Sequence, residues 1–299
     1  MSYQNSSSRE HPSAYFIQDQ ASREELARLC LQDRLLTSAM GGVLPEQRNL
    51  IGLHRVLDVG CGPGGWLIEV AKAYPSLSFL MGVDISKRMI DCARAQAAAQ
   101  QVCDRVEFAV MDALRMLEFP DNSFDLVNQR LGVSYLRTWE WSKLLDEYGR
   151  VIRPGGVIRI TEPEMVPVSS SPTLTRLFHL LLKVFFQAGY LFTPESNGLT
   201  SKIPDLLGRH GFQETEAHIC TIVHCAGTME AQQGYENIKM LFRTAFPFLE
   251  RWSRIPDDYE AMYQKALEEM RQPDFVMTSH LLTVWAKNIS RTRFTENPR

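Results

Sequence analysis

Residues 58–65 read Asp58-Val59-Gly60-Cys61-Gly62-Pro63-Gly64-Gly65, an acid and a run of glycines between an apolar β-run and a helical pattern. Glycines permit tight backbone angles and close approach of a ligand, and the helix that follows presents unpaired N–H groups. Gly60, Gly62 and Gly65 satisfy the G-x-G-x-x-G spacing of dinucleotide turns. Pro63 inside the motif and Asp58 two residues before it argue against a diphosphate. A carboxylate repels a diphosphate and pairs readily with a cationic amine. Asp84 closes the next β-run, about 20 residues beyond the glycines, where an acid binds ribose hydroxyls in this topology. Asp112-Ala113 and Gln129 leave the third and fourth β-runs on the same edge. Three residues could serve as a general base: Glu162, at the end of the fifth β-run, His179, which interrupts an apolar helix, and His210, just before a helix-ending glycine. Aromatic residues Tyr15, Tyr135, Trp139, Phe186 and Tyr190 would line a pocket for a flat or hydrophobic compound. His218, Cys220, His224 and Cys225 invite a zinc reading, but neighbours two apart on one strand are too extended to close a tetrahedron, so no metal is expected.

The elements that must position these residues alternate. β-runs at Arg55–Val59, Phe79–Val83, Val106–Val110, Phe124–Asn128 and Val157–Thr161 are separated by helical patterns, including one over Trp139–Ile152 stopped by Pro154. Such alternation demands crossovers, hence a mostly parallel sheet with helices on both faces. Its ligand crevice lies at the carboxyl ends of the strands. Ahead of it, Ser22-Arg23-Glu24-Glu25 is a capping box, with Leu26, Leu29, Cys30, Leu36 and Met40 on one side of the helix and Gly41-Gly42 at its end. Beyond residue 165 the sequence predicts an apolar helix after Pro172, a helix over 201–209, a strand over 212–225, helices near 228–245 and 257–272, and a last strand over 279–287.

The 299 residues carry 32 basic and 35 acidic side chains, a net charge of −3, so no basic excess draws the chain to nucleic acid. Six scattered cysteines in a chain that needs no staples read as reduced thiols. The polar N-terminal residues and the lack of a long apolar run predict neither secretion nor a membrane span, and hence a cytoplasmic location.

The Asp58–Gly65 turn, Asp84, Asp112-Ala113, Phe119–Asp125 and Leu145–Gly156 together resemble the successive motifs of class I S-adenosylmethionine-dependent methyltransferases. The resemblance covers about residues 50–165, with 281–287 similar to that fold's last strand, and its closest flavour is the ubiquinone/menaquinone-biosynthesis branch. It implies a Rossmann-like α/β sheet of seven strands with the last antiparallel. It implies S-adenosyl-L-methionine as cofactor, S-adenosyl-L-homocysteine as product, and Asp58, Gly60, Cys61, Gly62, Gly64, Asp84, Ile85, Asp112, Ala113 and Gln129 as cofactor contacts. The expected division is an arm or lid at 1–48, a cofactor-binding core at 49–164, a helical cap at 165–210, the rest of the core at 211–288 and a flexible tail at 289–299. The expected reaction moves a methyl group to a small, hydrophobic or aromatic acceptor by in-line displacement. Rival readings are a nucleic-acid or protein methyltransferase, or a scaffold that binds the cofactor without transfer. The arm and the exposed helix faces leave room for a homodimer.

Overall fold

A computed structural model of the chain describes residues 15–17, 22–46 and 52–289. The expected loose segment 1–12 and tail residues 290–299 lie outside the described residues. The elements are α1 (Arg23–Ala39), β1 (Arg55–Val59), α2 (Gly65–Ala73), β2 (Phe79–Asp84), α3 (Lys87–Ala99), β3 (Val106–Val110), β4 (Phe124–Arg130), α4 (Trp141–Val151) and β5 (Ile152–Pro163). Then come β6 (Val168–Ser169), α5 (Pro172–Gln187), α6 (Ile203–Arg209), β7 (Phe212–Cys225), α7 (Met229–Thr244), α8 (Phe246–Trp252), α9 (Tyr259–Glu269) and β8 (Val276–Asn288).

The strands form one sheet in the order β3-β2-β1-β4-β5-β8, with β7 along the outer side of β8 and β6 on its inner side. The β1–β5 neighbours pair in parallel and β8 runs against both β5 and β7. Alternation along the strands feeds two cores. Val56, Leu80 and Leu126 pack under α2 and α3, while Leu57, Val83 and Val127 face α4 and the cap helices. This is the Rossmann-like, mostly parallel sheet expected, with helices before and within it.

Local chemistry explains the boundaries. Ser86 caps α3 through the Met89 amide and Ser171 caps α5 through the Leu174 amide, with Pro172 opening that helix. Several expectations need correction. β5 begins at Ile152, because a register irregularity opposite Phe124–Leu126 lets the chain pass through Pro154-Gly155-Gly156 and stay paired. The two-residue β6 adds an eighth strand inside the stretch read as helical cap. α8 was not expected; it restarts at Phe246 with Pro247 in its first turn. In α1, Ser22 caps the Glu24 amide, but Glu25 does not complete a capping box. Glu25 and Arg28 are instead the residues this helix buries, while its leucines are half-buried.

Candidate active site

The turn after β1 is held by its glycines. Gly60, Gly62 and Gly64 have φ of 68°, 52° and 81°, a region that L side chains rarely adopt. A Cβ on Gly60 would stand 2.6 Å from the Tyr135 hydroxyl, whereas Gly62 has open space around it. A Cβ on Gly64 would meet Phe108 at 2.7 Å and Ala93 at 2.8 Å, so this glycine serves packing of α2 on the sheet. The Cys61 amide donates to the Val83 carbonyl at 3.0 Å, tying the turn to β2.

Two carboxylates flank the turn. Asp84 accepts from the Gly62 amide at 3.0 Å and from the Ser86 amide at 2.8 Å, and burial raises its pKa. Asp58 is 4% exposed, and burial pushes its pKa up to about 7 against the pull of Arg130 and of the Asn128 hydrogen bond. The Asn128 amide donates to Asp58 at 2.7 Å, Arg159 donates to Asn128 at 2.8 Å, and Glu46 pairs with Arg159. This relay fixes the Asp58 carboxylate from beneath. Sequence reasoning missed Asn128 and Arg159; the available signal was a polar residue in the middle of an apolar strand.

These groups open on one cavity of about 360 Å³ over the carboxyl ends of the strands. Asp58, Gly60, Cys61 and Gly62 line it with Asp84, Ile85, Asp112 and Ala113. Ile85 is 46% exposed, an apolar face offered to the cavity. Burial raises the Cys61 thiol, so it is no resting nucleophile. α1 roofs the cavity through Leu29 and Leu36, and α5 walls it with Phe178, Leu181 and Phe185. The roof is pinned twice. Arg130 of β4 pairs with Asp33 of α1. Tyr15 donates to Glu25 at 2.5 Å, Arg28 holds the same carboxylate at 2.7 and 2.8 Å, and Thr244 of α7 donates to it at 3.2 Å.

Of the expected aromatic set, Tyr15 and Tyr135 line the cavity. Trp139 does not: it is 67% exposed and lies over Gly189. Phe186 points away from the site, and the next residue back, Phe185, takes the inner position. Tyr190 is buried in an aromatic cluster with Phe185 and Phe248. Gln129 also lies beneath the site, accepting from the Tyr148 hydroxyl at 2.7 Å. Gly64 does not face the cavity either, for the packing reason given above.

The three base candidates are likewise set apart: His210 pairs with Asp146 at 2.7 Å and does not line the cavity. Glu162 is fully buried and accepts from the Gly132 amide at 2.6 Å and the Val133 amide at 3.0 Å. It thus anchors the turn after β4, and neither it nor His179, which is exposed on the outer side of α5, lines the cavity. Residues not foreseen at the site include Asn237, His280 and His224, the last considered only as a metal ligand. Among the described residues no cluster of His, Cys, Asp and Glu could hold a metal, and no helix is long and apolar enough to cross a membrane.

Comparison with known proteins falls on the same region. The methyltransferase-domain family matches residues 56–156. A demethylmenaquinone methyltransferase of Lactiplantibacillus plantarum is 31% identical over 201 residues, 64% of this chain and 74% of that one. One of the same name from Staphylococcus aureus is 32% identical over 44% of this chain, and the alignment spans half of its length. Among solved structures, phosphoethanolamine N-methyltransferase 2 of Haemonchus contortus superposes with a TM-score of 0.56 at 18% identity, over 92% of this chain and 60% of that one. That likeness speaks to the fold alone.

Proposed function

The chain belongs to the class I S-adenosylmethionine-dependent methyltransferases, and from that premise we propose that it methylates a small hydrophobic acceptor held in the cavity beneath α1. The observation that carries this reading is one continuous chamber, with an acid-edged glycine turn at one end and apolar walls at the other.

The residues present fit the cofactor. Asp58, Asp84 and Asp112 all line the chamber, a poor setting for a diphosphate and a good one for an amine, a diol and an adenine amino group. In this reading Asp58 faces the cationic methionine end, Asp84 accepts from the ribose hydroxyls, Ile85 packs on the base and Asp112-Ala113 contact its edge. Gly60, Cys61 and Gly62 let the backbone approach closely. S-adenosylmethionine supplies an electrophilic methyl group when bound. The protein's task is alignment and exclusion of water, which Phe178, Leu181 and Phe185 perform by presenting apolar surface to the acceptor. A flat or prenyl-like acceptor suits those walls, and the demethylmenaquinone in the relatives' name is one candidate.

Calorimetric titration with S-adenosylmethionine, S-adenosylhomocysteine and NAD(H) tests the reading. Micromolar binding of the adenosyl compounds, absent for NAD(H) and lost in Asp84→Ala, is the expected result. Folded protein, free of copurified ligand, that binds neither adenosyl compound would sink it.

A further inference from the structure

The methionine end of S-adenosylmethionine carries a carboxylate as well as an ammonium. A carboxylate inside a protein needs a cation or a set of N–H donors. Among the described residues the arginines lining the chamber are Arg28 and Arg130, and no lysine lines it. Arg28 is 2% exposed and bound twice by Glu25. Arg130 ends β4, the strand paired with β1, and its charge acts on Asp58 by lowering that carboxyl's pKa. It is the cation at the glycine-turn end of the chamber.

Arg130 is already engaged, and by the roof. Its guanidinium pairs with Oδ1 of Asp33 and donates to Thr37 Oγ1 at 3.3 Å, one turn further along α1. The other oxygen of Asp33 rests against Gly65, the first residue of α2, where an added Cβ would overlap it. That end of a helix favours negative charge. The side chains of Arg130 and Asp33 keep 14% and 15% of their surface accessible, and both residues line the chamber, so neither is sealed in the core. On the lining side of α1, Asp33 stands between Leu29 and Leu36. A carboxylate in that row adds nothing to an apolar roof. It does bring to Arg130 the same chemical group that the cofactor carries.

We propose that Asp33 is an internal stand-in for the cofactor's carboxylate: it competes for Arg130 and is displaced when the cofactor binds. This rests on the proposed methyl transfer for the identity of the ligand. The exchange sets one carboxylate in place of another, so the arginine keeps a counter-charge throughout. It also lowers the apparent affinity, by the fraction of molecules in which Arg130 is released from Asp33. A rival role has the opposite sign. If Asp33 stayed in place and joined Asp58 in binding the ammonium, its removal would weaken the cofactor.

The test compares S-adenosylmethionine with its decarboxylated analogue, which keeps the sulfonium and the ammonium. Both are titrated by calorimetry into the full chain, into Asp33→Asn and into Arg130→Gln. Asp33→Asn should bind S-adenosylmethionine at least about fivefold tighter than the wild type, and the analogue no tighter. Arg130→Gln should bind S-adenosylmethionine at least about tenfold more weakly, while the analogue loses no more than about threefold. Asp33→Ser takes the place of Asp33→Asn where the latter shows no melting transition. Unchanged or weaker binding of S-adenosylmethionine without the Asp33 carboxylate overturns the proposal. So does an equal gain for the analogue, the mark of a roof that has merely loosened, and so do equal losses for both ligands in Arg130→Gln. Each of these leaves the cofactor reading standing. Failure of the wild type and every variant to bind either compound overturns that reading, and the proposal with it.

Discussion

The Asp84 carboxylate accepts a hydrogen bond from the Gly62 amide at 3.0 Å, so the end of β2 and the glycine turn are one mechanical unit. The residue expected to hold a ligand also holds the loop beside it. Asp84→Asn should therefore lose more than one contact. Its amide oxygen can serve either the Gly62 or the Ser86 amide, and its NH₂ opposes the other. We expect adenosyl affinity to fall at least about tenfold and stability by about 1–3 kcal/mol. Calorimetry together with urea unfolding checks both, and a loss of affinity with no loss of stability would separate the two roles.

If Asp58 faces the cofactor's cationic end as proposed, cofactor affinity should depend on pH. With its pKa pushed up to about 7 by burial, it must release a proton to pair with a cation. Affinity should therefore rise from pH 5.5 to 7, by up to about tenfold per unit on the acid limb, and level off above. In Asp58→Asn the curve should be flat and low. A wild-type affinity independent of pH across this window would exclude Asp58 as the cation's partner.

The buried pair under the roof predicts a large loss on truncation. Arg28 and Glu25 are 2% and 0% exposed, and Arg28→Met leaves the carboxylate with Tyr15 and Thr244 for partners but no charge. Destabilisation of about 3–5 kcal/mol is expected. Limited proteolysis should cut α1 faster than the rest of the chain, since this cluster joins it to Tyr15 and to α7. Unchanged unfolding and unchanged cleavage would show the pair to be dispensable.

Glu162 and His179 separate structure from chemistry. Glu162→Ala leaves the Gly132 and Val133 amides without their acceptor, at about 1–3 kcal/mol each. Burial raises the Glu162 pKa from 4.5 to about 8. Its contribution to stability is therefore fullest below 4.5 and is lost as pH climbs through about 8. Urea unfolding at pH 5 and pH 8.5 should show that decline, and Glu162→Gln should reduce it. Exposed His179→Ala should change stability by less than about 0.5 kcal/mol and leave methyl transfer intact. A transfer defect in His179→Ala without unfolding would restore it as a candidate base.

What the sequence disclosed was what is local. The β1 turn, Asp84 and Asp112 are legible because spacing along the chain sets their place at strand ends. The capped starts at Ser86 and Ser171 follow from neighbours within one helical turn. The chamber's other half is not local. Phe185 and Phe186 are alike in type, and only the packing of α5 decides which faces inward. His224 sits on an exposed-looking strand until α7, folded from the following residues, covers it. Tyr190 and Trp139 are aromatic residues near the right place whose neighbours absorb them, one into the core and one over Gly189. Glu162 occupied the expected strand end, but two backbone amides one strand away had the stronger claim on its oxygens.

The matched stretch 56–156 carries the glycine turn and its acids, while Phe178, His224 and Asn237 stand on α5, β7 and α7, beyond it. The two halves of the chamber are thus written in separate lengths of chain. Descendants of such a protein can drift in the second length and change their customers while inheriting the first intact. An engineer has the same freedom: transplanting 172–187 with 212–244 onto another member's first half should retarget it without rebuilding the machinery for the donor.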